Sequence, residues 1–195
     1  MPEYVELLVR VLGAPGSGRP AACEWLEVEA GLGVDFPDDY KEVAASYAPV
    51  QLNGHLILWH PATRFFNLAE NVAQEIQVFE GIDWRAVGVG FRGEVPRFGG
   101  PGGLIPVART DRGEVVFLFR DTPDLPWHVV GFSSDGEGFH EYDFGFAEWL
   151  YRYLAGEEVL GPGSATFHPG PLLIEDLPRS PGDRVVDRRG PDRGV

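Results

Sequence analysis

The order of periodic segments along this chain predicts a mixed fold in which helices and antiparallel strands share one compact domain with extensions. Three observations predict it. The first 47 residues hold three helical periodicities, residues 50–142 hold short strand-like runs joined by turn signals, and a last helical stripe follows at 146–154. At 195 residues the chain is long enough to bury one substantial core.

Tyr4, Leu7, Leu8 and Val11 stand at helical spacing over residues 3–12, with Pro2 suited to a first turn. APGSGRP breaks that helix, and Pro20 opens a second, carrying Ala22, Trp25 and Leu26 and ending at Gly31 and Gly33. Pro37 starts a third, with Asp38 and Asp39 in the first turn, where free amide groups favour carboxylates, and a stripe of Tyr40, Val43, Ala44 and Tyr47. VQLNGHLIL at 50–58 carries the Asn-Gly signal of a tight hairpin. Residues 67–79 return to helical spacing through Leu68, Val72, Ile76 and Phe79.

Residues 86–119 read as extended in three pieces. AVGVGF is the first, and LIPVAR and EVVFLF follow, turned antiparallel by TDRG. Pro106 lacks an amide hydrogen, so it belongs at an edge or beside a bulge. Residues 127–132 and GEGFHEY read as two more strands, and Asp143 is placed to cap a helix bearing Phe146, Trp149, Leu150, Tyr153 and Leu154, closed by Gly156. Beyond Gly161 only Leu172 to Ile174 form an apolar knot able to lie against the domain. Residues 178–195 hold too little apolar content to order themselves and are expected to form a flexible tail.

Composition restricts the function. The formal charge of −14 argues against a nucleic-acid binder, because phosphate contacts need clustered positive charge. The charge is uneven: residues 1–177 carry a net −16 and residues 178–195 a net +2, so the acidic body is expected to attract cationic surfaces. No stretch approaches eighteen apolar residues and no basic-then-apolar leader follows Met1, which places the chain in the cytoplasm with no membrane partner. Cys23 stands alone in a helical pattern and reads as a buried small hydrophobe.

A search for chemistry finds no assembled site. GVGFRG and GSGRP match no phosphate-binding loop. Ser133 and Ser134 before Asp135 lack the strand-to-helix elbow of a serine nucleophile. His128, His140, Glu141 and Asp143 could in principle meet around a metal, yet neighbouring His140 and Glu141 point to opposite faces of a strand. The expectation is therefore no catalytic residue, no metal and no cofactor.

GLGVDFPDDYKEVAASY at 31–47, GGLIPVARTDRGEVVFLF at 102–119, LPWHVVGF at 125–132 and FGFAEWLYRYL at 144–154 occur in an order that resembles the SUKH superfamily, which groups a yeast cell-wall-synthesis regulator with many bacterial immunity proteins. Phe36-Pro37 with Tyr40 resembles the family's helix start, Gly103 to Pro106 its strand after the central loops, Trp127 and Val129 its tryptophan strand, and Phe146, Trp149 and Leu150 its final helix. Ala48-Pro49-Val50 departs from the glycine-rich or Asn-Gly end usual after the tyrosine helix. The resemblance implies an α+β fold with a mostly antiparallel sheet packed by helices. It divides the chain into an N-terminal helical extension (1–19), a SUKH-like domain (20–156), a C-terminal extension (157–177) and the tail (178–195).

It also implies a non-catalytic protein-binding domain, an immunity protein that neutralises a toxin domain by stoichiometric binding, and the acidic body points independently to a basic toxin as partner. The alternatives are an intracellular regulatory scaffold that binds a host protein and, remotely, an undetected hydrolase. The contact residues expected on the acidic surface are Asp38, Asp39 and Glu42 on the third helix and Asp135, Glu137 and Glu141 near the late strands. Trp25, Tyr40, Trp127 and Trp149 are assigned to the core.

Overall fold

The computed structural model describes residues 2–15, 22–133, 138–165 and 168–193. In chain order the elements are α1 (Pro2–Leu12), α2 (Ala22–Leu32), α3 (Asp38–Tyr47), β1 (Val50–Leu52), β2 (Leu56–Leu58), α4 (Leu68–Glu80) and α5 (Trp84–Val87). They continue with β3 (Ile105–Thr110), β4 (Val115–Phe119), β5 (His128–Ser133), β6 (Gly138–Tyr142), α6 (Phe146–Leu154), β7 (Leu173–Asp176) and β8 (Val186–Arg189). The eight strands among the described residues form one antiparallel sheet in the order β6-β5-β4-β3-β2-β1-β7-β8, which makes this an α+β fold.

Strand alternation divides the core. Val116, Leu118 and Val129 face a large cluster that includes Leu8, Trp25, Tyr40, Val43, Phe146, Trp149 and Leu150 from α1, α2, α3 and α6. Their neighbours Val115, Phe117, Phe119 and Val130 face the other way, into a smaller aromatic cluster with Phe79, Trp84 and Phe98. Trp25, Tyr40 and Trp149 are buried as their periodic positions require, and Trp127 is half-buried beneath the Arg120 guanidinium, 4.4 Å from its ring centre.

β1 and β2 are joined by a turn about Asn53 and Gly54, both at positive φ and closed by the His55 amide donating to the Leu52 carbonyl at 3.0 Å, with His55 as a third loop residue. Pro106 lies where the β3–β4 register shifts, so its missing amide is accommodated by a bulge within the sheet rather than at an edge. AVGVGF is not a strand. Asp83 caps a single helical turn there, accepting from the Ala86 amide at 3.2 Å, while Trp84 Nε1 donates to the Phe79 carbonyl at 2.9 Å and draws the segment into the aromatic cluster.

Asp143 does not cap α6 either, because Gly145 occupies that position and offers no side chain. At the C-terminus, where low apolar content suggests a flexible tail, Val186–Arg189 form β8. The backbone ladder with β7 needs no apolar side chain, and Arg188 fixes it by donating to Asp176 Oδ2 at 3.0 Å and to the Leu12 carbonyl at 2.9 Å. Leu172 and Ile174 are fully buried, as their apolar character predicts. The side chain of Cys23 lies outside the described residues.

Candidate partner-binding surface

The three acids assigned to α3 have different fates. Asp38 and Glu42 are exposed. Asp39 is only 5% exposed and faces inward, where Oδ2 accepts from the Ala147 amide at 3.0 Å and Oδ1 from the Tyr40 amide at 2.9 Å. It supplies to α6 the N-terminal carboxylate that Gly145 lacks, across 108 residues of sequence. The expectation that Asp39 is a surface contact is therefore corrected: its carboxylate is committed to the fold.

α3 is held firmly enough to present its two free acids. Tyr40 packs edge-on against Trp25 and Phe146, with ring centres 5.8 and 4.8 Å apart, and burial pushes its phenol well above the ordinary range. Tyr47 donates to the Gly13 carbonyl at 2.9 Å, and burial raises its phenol to about 12. Glu29 of α2 accepts from the Phe36 amide at 2.8 Å and pairs with Lys41, so the one lysine of the chain is spent inside this helix pair. Residues 22–47 carry seven carboxylates against that single lysine, and Glu27, Asp35, Asp38 and Glu42 among them are exposed. Leu26 stands beside them on α2 at 63% exposure. Its exposure was not legible, because the helical pattern of α2 has apolar residues on more than one face.

Asp135 and Glu137 lie outside the described residues. Glu141 is on β6, paired in register with Val130, and so shares the face of the aromatic cluster, opposite to α3. The structure thus separates Glu141 from Asp38 and Glu42. Glu141 is also engaged: Arg92 donates to it through Nε at 2.8 Å and to Asp121 through NH1 at 2.7–2.8 Å, and His128 Nε2 lies 2.6 Å from its carboxylate. The Arg92 hydrogen bonds hold Glu141 below the usual carboxylate range. The Arg92 guanidinium also covers the Phe119 ring at 4.8 Å, so the network pins the 89–97 loop over the aromatic cluster.

His140 is paired with Gly131 and faces away from Glu141, as strand alternation predicts. Among the described residues no group of three or more His, Cys, Asp or Glu side chains could hold a metal ion. One cluster that the sequence did not reveal joins two turns: buried His55 contacts Asp111 through Nδ1 and lies 3.6 Å from Glu114 through Nε2, while Glu114 accepts from Thr110. Residues from the β1–β2 and β3–β4 turns meet there only because β2 and β3 are neighbours. A cleft of about 530 Å³ opens beside the aromatic cluster, lined by Ile82, Trp84, Val95 and Phe98 with Arg85 and Asp83 at its margin. It holds no nucleophile paired with a base.

A family model described as SUKH_6, SMI1-KNR4 cell-wall, matches residues 23–150, and the chain belongs to that family. At the level of the family it is a non-catalytic, protein-binding domain of the immunity-protein kind. No curated protein and no solved structure matches. Among the described residues no helix is long and apolar enough to cross a membrane.

Proposed function

We propose that this SUKH-family chain is a cytoplasmic immunity protein that neutralises a basic toxin domain by one-to-one binding, with Asp38 and Glu42 at the contact. The observation that carries the reading is the excess of seven carboxylates over one ion-paired lysine across α2 and α3, in a domain of a protein-binding family. Fields of one sign speed the encounter with a partner of the opposite sign and fix its orientation. Coverage of a cationic substrate-binding surface needs no turnover, which suits a rigid acidic helix pair. Recognition in this reading belongs to the body at 20–156.

The test is titration calorimetry against toxin domains encoded beside the gene, with wild type and with Asp38→Lys/Glu42→Lys. One-to-one binding that inhibits the toxin and weakens at least tenfold on reversal supports the reading. Capture of a resident host protein in place of any toxin moves the assignment to a regulatory scaffold. Deletion of residues 178–195 does not discriminate the two, because it removes β8 from the sheet.

A further inference from the structure

The sheet ends on β6 at one edge and on β8 at the other. On β6 the Tyr142 hydroxyl accepts from the Gly161 amide at 2.8 Å and Arg92 holds Glu141, so the side chains on both faces of that strand are engaged. Among the described residues β8 has β7 on one side and no strand on the other. An open edge presents unpaired backbone groups to any strand that fits them.

Which groups are free follows from the ladder. The Gly190 amide donates to the Leu172 carbonyl at 2.9 Å, and the Asn53 amide to the Leu173 carbonyl at 2.8 Å. Antiparallel hydrogen bonds alternate along a strand, so Val186, Arg188 and Gly190 bond inward to β7, while the amides and carbonyls of Asp187 and Arg189 point outward. Both residues are exposed, and their side chains share the face of the sheet opposite to Arg188. Among the described residues neither has an ion-pair partner within the chain. Asp187 instead lies directly across from Glu175 of β7, a like-charge pair.

We propose that β8 pairs antiparallel with β8 of a second copy of this chain, about a twofold axis through Arg188. In that register Asp187 of each copy faces Arg189 of the other, and these are the residues whose backbone groups point outward. Four backbone hydrogen bonds and two ion pairs close together, each Asp187 gains the cation it lacks, and the two sheets become one of sixteen strands. The two Arg188 side chains that meet at the axis are already held by Asp176 and the Leu12 carbonyl of their own copies. The competing register, centred on Asp187, sets aspartate against aspartate and is disfavoured. The self-complementary charge pattern is what selects a second copy as the occupant, since a C2 interface must match itself. This inference is independent of the toxin-binding reading.

The test is sedimentation velocity of the full chain over a hundredfold concentration range. Wild type is expected to shift from one chain mass towards two. Asp187→Arg and Arg189→Asp, each placing like charges opposite, should stay at one chain mass, and the double exchange Asp187→Arg/Arg189→Asp should restore the shift. Circular dichroism checks that each variant is folded. Wild type that stays at one chain mass throughout overturns the proposal, as does a double exchange that fails to recover association while remaining folded.

Discussion

Asp39→Ala should destabilise the protein without touching its outer surface. The substitution removes two buried acceptors, one for the Ala147 amide at 3.0 Å and one for the Tyr40 amide at 2.9 Å. A hydrogen bond to a charged group contributes about 1.5–3 kcal/mol, and a lost helix cap costs about 1 kcal/mol, so a loss of about 2–4 kcal/mol is expected. For a chain of this size that lowers Tm by roughly 4–15 °C. Gly145 provides the internal check. A Cβ there would stand 2.7 Å from Asp39 Oδ2, although its φ of −77° and ψ of 176° suit alanine. Gly145→Ala should therefore destabilise the wild type by about 1–3 kcal/mol through crowding and by distinctly less in the Asp39→Ala background. Urea unfolding of the four proteins measures both quantities. An Asp39→Ala variant within about 0.5 kcal/mol of wild type, or a cycle with no coupling, would refute the capping argument.

Asp38→Lys/Glu42→Lys, by contrast, should unfold within about 0.5–1 kcal/mol of wild type by the same measurement, because both side chains are exposed. Trp149→Phe should cost about 2–4 kcal/mol in urea, since the smaller phenyl ring leaves a cavity at a fully buried position and the Val159 carbonyl loses the indole donor now 2.7 Å away. Burial, and then Arg179, lower His60 from 6.5 to about 4. The unfolded chain therefore takes up the proton first as pH falls, so stability present above about 6.5 is lost progressively towards pH 4. His60→Asn, whose amide oxygen can accept from Ala62 in place of Nδ1, should flatten that loss in urea titrations at several pH values. Arg188→Ala should raise amide exchange at Val186, Arg188 and Gly190, whose amides bond inward towards β7, by at least tenfold while leaving β3 to β5 protected, because its guanidinium ties β8 to Asp176 and the end of α1.

Local pattern carried much of this architecture. Pro37, Asp38 and the Tyr40, Val43, Ala44 and Tyr47 stripe defined α3, the Asn53-Gly54 pair defined the first hairpin, and the continuous apolar run from 115 to 119 defined β4. What stayed hidden depends on residues far apart in the chain. Asp39 looked like a first-turn surface acid because its own helix explains a carboxylate there, while the amide it serves lies 108 residues away. AVGVGF alternates like a strand, yet the Asp83 cap and the indole of Trp84 fold it into a helical turn. β8 has no apolar signature because its order comes from a backbone ladder and one arginine. Of the six acids assigned to a contact surface, two remain exposed on α3, Glu141 is bound by Arg92, Asp39 is buried, and Asp135 and Glu137 lie outside the described residues.

The position of β7 sets a condition on biosynthesis. β1 begins at Val50 and has β2 on one side, but its other neighbour, β7, begins only at Leu173. A nascent chain therefore emerges with the VQL strand exposed along one edge, and that edge stays open until residues 173–176 have been made, more than 120 residues later. Ribosomes that stop early, or proteases that cut before residue 173, release a sheet that ends on Val50 and Leu52, both almost fully buried in the finished protein. Such fragments carry an unprotected apolar border open to intermolecular strand pairing, which β7 seals only once it has been made.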